Sequence, residues 1–140
     1  MRKLMLTGGL LMLAGCAGFG LPRHDPTQAW IDLESHQEDT ALLAFEVDNK
    51  AATDKRYFEV QPGSHELTVR YQFPVQPTNI GPDAQPLWRD CQMNVKFNDF
   101  NAGERDQLQA GNIGFRPWAK LYGQQRKVIG QGTPAGCQRS

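Results

Sequence analysis

The 140-residue chain is poor in cysteine and histidine, with three of each, and has no excess of either charge. Each scarcity excludes something. Fifteen Lys and Arg against fifteen Asp and Glu leave no basic footprint of the kind that nucleic acid requires. The longest apolar stretch, Leu4 to Leu13, is interrupted by Thr7, Gly8 and Gly9. It falls short of the roughly 20 residues that span a bilayer as a helix. No segment repeats apolar residues at the spacing of a long amphipathic helix. There is no Cys-x-x-Cys pair, no Gly-x-Ser-x-Gly elbow and no glycine-rich loop opening a helix. Redox-pair, nucleophile-elbow and phosphate-cradle chemistry therefore have no motif here.

What is present begins at the N-terminus. Arg2 and Lys3 precede the apolar stretch, and Ala14 and Gly15 lead into Cys16. A positive start, a short apolar segment and a small-residue cleavage zone describe a secretory signal peptide. Leu13-Ala14-Gly15-Cys16 also resembles the lipobox of bacterial lipoproteins. The resemblance implies a diacylglycerol on the Cys16 thiol, cleavage before Cys16 and acylation of the new amino group. Stable anchoring takes more than one acyl chain, and such a cysteine carries several. Ala17 stands where an aspartate would retain a lipoprotein in the inner membrane, so the resemblance implies the periplasmic face of the outer membrane.

The expected organisation follows: residues 1–15 as signal peptide, 16–27 as lipidated end and tether, 28–140 as one domain. Without the signal the chain has 13 basic and 15 acidic residues, a net charge of −2. Residues 17–27, with two Gly and two Pro, reach at most about 35–40 Å when extended. With Cys16 lipidated, Cys91 and Cys137 remain. An exported chain meets an oxidising compartment, which predicts a Cys91–Cys137 disulfide.

From Gln28 onward the pattern is that of strands. Leu67, Val69, Tyr71 and Phe73 alternate with Glu66, Thr68, Arg70 and Gln72. Cys91, Met93, Val95 and Phe97 alternate with Gln92, Asn94 and Lys96, so Cys91 is predicted to point inward. Such alternation means one buried and one wet face, the habit of antiparallel sheets. "AWIDL", "LLAFEVDN" (with Leu43, Phe45 and Val47 in phase), "RYFEVQPG" and "RDQLQA" are shorter strands. The last of these, within "AGERDQLQAG", could be a short helix instead. "GFRPWAKLYG" and "RKVIGQG" read as a hairpin closing around Gly123-Gln124-Gln125, with Pro117 marking an edge or a bulge. Pro62-Gly63 suits a type II turn. The predicted fold is all-β, a single antiparallel β-sandwich or flattened barrel of about 7–8 strands. "FEVQPGSHELTVRY" resembles PEGA-type small β-sandwich modules of bacterial envelope proteins, on Phe58, Val60, Pro62, Gly63, His65, Leu67, Val69 and Tyr71. That resemblance implies a fold class and no chemistry.

Site residues are few. His24 lies in the tether and His65 beside the turn, where a hydrogen bond to backbone is its expected role. His36 lies in a polar loop with Glu38 and Asp39, a thin basis for a metal site. Ser35-His36 and Ser64-His65 are sequence neighbours and would face opposite sides of a strand. Trp118 is expected in aromatic core packing, or as a ligand shelf with Trp88. The proline-rich segment 74–86 is either a stiffened hairpin connection or a binding loop. Pro77, Asn79, Asp83 and Trp88 are its candidate partner-binding residues. No enzyme activity, cofactor or metal is expected. The expected function is a lipid-anchored accessory or binding module with an envelope protein or glycan as partner. The alternatives are an inhibitor of a cell-wall-active enzyme such as lysozyme, acting through the 74–86 loop, and a small envelope hydrolase.

Overall fold

A computed structural model describes residues 23–75 and 87–139. Cys16, Pro77, Asn79 and Asp83 lie outside these. Nine strands follow in order: β1 (Ala29–Ser35), β2 (Ala41–Val47), β3 (Lys50–Ala51), β4 (Tyr57–Val60), β5 (Gly63–Val75), β6 (Leu87–Phe100), β7 (Arg105–Ile113), β8 (Arg116–Tyr122) and β9 (Val128–Arg139). No helix occurs among the described residues, so "AGERDQLQAG" resolves to a turn and strand β7.

The strands form one curled sheet in the order β3-β2-β5-β6-β9-β8-β7-β1-β4. The curl makes a half-barrel and brings the approach to β4 against β2. The Ala44 N–H of β2 donates to the Lys55 carbonyl, on the approach to β4, at 2.9 Å. Strand β9 makes the bend. Its first part pairs with β8 (Lys120↔Gln131) and its second with β6 (Val95↔Gly132). Gly132 sits where β9 changes partner, and a Cβ there would lie 2.9 Å from that of Ala119. Strands that switch partners in this way are how sheets turn corners.

One core fills the curl. Leu67, Val69, Tyr71 and Phe73 of β5, and Cys91, Met93 and Val95 of β6, are all buried, as the alternation predicts. Ile31, Phe58, Phe100, Leu108 and Leu121 close it from the other strands. The disulfide is also as predicted. Cys91 and Cys137 are direct cross-strand partners with Cα atoms 3.9 Å apart. Gly63 has the positive φ expected at its turn, 116°.

Several expectations need correction. Nine strands are present where about 7–8 were expected, because the two-residue β3 is too short to show a period. The sheet is mixed: β1 and β7 run parallel, and the other pairs are antiparallel. Alternation reports which face is wet and says nothing of a neighbour's direction. In β2 the inward set is Leu42, Ala44 and Val47, not Leu43, Phe45 and Val47. A register shift between Ala44 and Glu46 inserts one residue and reverses the phase. Phe45 is thereby left beneath the Arg70 guanidinium, 5.4 Å from its ring centre. Pro74 and Val75 belong to β5, not to a loop. Pairing with β2 ends at Gln72, so Pro74 has a strand on one side only.

Residues 24–27, counted in the tether, are docked together with Gln28. The His24 ring bonds the Gln28 carbonyl at 2.8 Å, and Gly103 N–H donates to the same carbonyl at 2.9 Å. Asp25 caps its own turn by accepting from the Thr27 N–H and hydroxyl, which holds its carboxyl below the usual range.

Candidate functional site

The half-barrel has two different ends. The chain enters at one, beside the β6–β7 turn and the start of β5. The other is built by the ends of β5 and β6, where Val75 pairs with Leu87, and by the β7–β8 turn, where Ile113 pairs with Arg116. The C-terminal part of β9 reaches this far end too, with Arg139 opposite Arg89.

Among the described residues, this far end carries three of the exposed large apolar side chains. Trp88 is 44 % exposed, Phe115 40 % and Ile113 76 %. Single exposed hydrophobics are ordinary on a soluble protein; neighbouring ones mark contact surfaces. Arg89 ties Trp88's strand to the turn. Its Nη1 donates to the Phe115 carbonyl at 2.8 Å, and its guanidinium lies 5.9 Å from the Phe115 ring centre. Between them a cavity of about 420 Å³ is lined by Val75, Leu87, Trp88, Arg89, Phe115, Cys137 and Gln138. A second groove runs beside Pro74, Val75, Asn112 and Gly114 to the 37–40 loop. That loop is fixed from below. The Asn112 N–H donates to Gln37 Oε1 at 2.7 Å, and the buried Tyr71 hydroxyl donates to Asn112 Oδ1 at 2.7 Å.

Of the sequence-predicted binding residues, Trp88 is the one described, and it belongs to this surface. Ile113 and Phe115 were missed. Their signal was the pair of apolar residues flanking the glycine of "NIGF". Trp118 is not on this end. It lies half-buried on the outer face, its ring over Gly111 and edge-on to His36 with ring centres 4.8 Å apart.

The histidines do not converge. His65 Nδ1 lies 2.6 Å from Asp48 Oδ2, and its Nε2 2.7 Å from the Gln61 carbonyl. The backbone bond is the one expected, and both ring nitrogens are engaged. Ser64 donates to Asn98 instead, at 3.3 Å. His36 bonds Gln109 Oε1 at 2.7 Å rather than Glu38 or Asp39. No group of three metal-ligating side chains occurs among the described residues.

Two carboxyls stand out electrostatically. Asp90, on β6 beside the disulfide, takes a two-pronged contact from the Arg70 guanidinium and a bond from Gln72 Nε2 at 3.2 Å. The Arg70 contact foremost holds its carboxyl below the usual range. Asp106 is the opposite case. It is 1 % exposed, and neither carboxyl oxygen has a partner. Burial, with Glu104 adding to it, pushes its carboxyl up to about 7. Its place in the apolar phase of β7, with Leu108 and Ala110, was visible in "RDQLQA".

Compared with protein-family models, curated proteins and solved structures, the chain matches none.

Proposed function

We propose that this chain is a lipid-anchored module of the bacterial envelope that works by binding. It is held through Cys16 at the periplasmic face of the outer membrane and contacts a protein partner through the Trp88–Phe115–Ile113 end. The observation that carries the reading is the placement of that apolar surface at the end opposite the chain's entry point. With residues 24–28 docked, residues 17–23 are what separates an acylated Cys16 from the barrel, a reach of about 25 Å. The barrel then stays near the leaflet, with its apolar end directed away from it. Exposed aromatics with an arginine beside a preformed cavity are the ingredients of a protein-binding hot spot.

The test is photo-crosslinking in the native envelope. A photoreactive residue replaces Trp88 or Phe115, and Lys50 at the entry end serves as control. The reading expects one discrete adduct from the first two positions and none from the third. Equal labelling from all three positions, or none from any, contradicts it. The inhibitor alternative would instead show as loss of activity of an added lysozyme.

A further inference from the structure

A second face carries a different chemistry. The outer side of β1, β7 and β8 presents a hydrogen-bonded polar row. The His36 ring bonds Gln109 Oε1 at 2.7 Å, Gln109 Nε2 donates to Gln107 Oε1 at 2.7 Å, and Gln107 Nε2 donates to Glu34 Oε1 at 2.6 Å. Each link fixes the orientation of the next. Each amide keeps one N–H and one lone pair unspent, because an amide group has two donors and two acceptor sites. The row is thus a preordered set of donors and acceptors at sheet spacing.

Aromatic rings border the row. Tyr122 is the cross-strand partner of Gln107, and Trp118 that of Gly111; both are half-buried. The 123–126 hairpin walls one end, where Gln124 Oε1 accepts from the Arg105 N–H at 3.2 Å. The groove beside Gln107, Gln109, Tyr122 and Gln124 has a volume of about 470 Å³, within the range of small-ligand sites, and Trp118 lies beyond it. The charges are nearly balanced. Asp32 is paired with Arg105 at 2.9 Å, Glu34 and Lys120 are the cross-strand neighbours of Gln109 on its two sides, and Arg126 lines the groove. A polyanion finds no matching field here.

From these observations we infer that the outer face of β1, β7 and β8 binds a neutral oligosaccharide. The amide row would exchange hydrogen bonds with its hydroxyls, and Tyr122, which lines the groove, would pack against the C–H face of a sugar. Oriented amides, the Glu34 carboxylate at the end of their row, nearly balanced charge and a flanking tyrosine together match a flat, hydroxyl-rich, uncharged chain. This face is separate from the apolar end, so the two proposals stand or fall independently.

The test is isothermal titration of the full chain in detergent micelles with cellotetraose, chitotetraose and maltotetraose. At least one should bind with a dissociation constant of about 0.1–1 mM. Tyr122→Ala and Gln109→Ala should each weaken binding at least about tenfold. Trp88→Ala, at the far end, should leave it unchanged. If Tyr122→Ala loses the fold, Gln124→Ala reports on the same groove and should weaken binding. No heat from any sugar up to about 10 mM overturns the inference. So does binding that survives both substitutions, or that is lost only with Trp88→Ala.

Discussion

Replacing Asp106 by Asn should make this protein more stable, and only above acidic pH. The carboxyl is 1 % exposed, has no hydrogen-bond partner and is raised from 3.8 to about 7, first by burial. A carboxyl raised on folding binds its proton more tightly in the folded chain than in the unfolded one. Between pH 3.8 and about 7 the folded state therefore holds a proton that the unfolded state has released. Stability falls as pH rises through that window and levels off above it. At 1.36 kcal/mol per unit the full span is about 4 kcal/mol, an upper bound because a charged Asp106 would draw in water or shift toward it. Asn has the same shape and no proton to lose. Asp106→Asn should thus gain about 2–4 kcal/mol at pH 8 and change little at pH 4.5, within about 0.5 kcal/mol. Urea unfolding followed by tryptophan fluorescence at both pH values measures this. An equal effect at the two pH values, or a loss at pH 8, would refute the reasoning.

Three further expectations rest on other parts of the fold. Cys91→Ser should lower stability by about 4 kcal/mol on chain-entropy grounds, given the 46-residue separation, with thermal unfolding as the measure. Asp90→Asn leaves the Arg70 guanidinium without its charge partner and should cost about 1–3 kcal/mol at pH 7. Because the folded carboxyl is lowered, that cost should be fully present above about pH 3.8 and vanish as pH falls through the folded value, which acid titrations of the two proteins would show. Gly132→Val, which brings a side chain against Ala119 where β9 changes partner, should destabilise by at least about 1–3 kcal/mol by overpacking, read from denaturant midpoints.

The parts legible in sequence are those set by local period and by residue type. Clean alternation in 66–73 and 91–97 placed seven inward residues of β5 and β6 correctly, because a strand with one wet face must alternate. The disulfide followed from cysteine arithmetic and the inward phase of Cys91. Three features were not legible because they depend on residues far apart in the chain. The parallel pairing of β1 with β7 joins Asp32 to Gln107, and nothing local to either strand encodes direction. The β2 bulge shows only against its partner β5. The corner made by β9 depends on β6 and β8 being present together.

The candidate surfaces divide in the same way. Trp88 was found because it borders a conspicuous proline-rich segment. Ile113 and Phe115 join it only once the β7–β8 turn is folded against the end of β6. The Gln107–Gln109 row reads in sequence as a solvated strand face. Only the registers of β1, β7 and β8 bring His36, Glu34 and Tyr122 alongside it.

The proposed envelope role hangs on attachment at Cys16, which would give the half-barrel its compartment and direct its far end away from the leaflet. Intact-mass spectrometry of the protein extracted from its native membranes tests this most directly. The account predicts a chain beginning at Cys16 that carries acyl mass, with residues 1–15 gone. A chain still beginning at Met1, or a Cys16 without acyl mass, would contradict it.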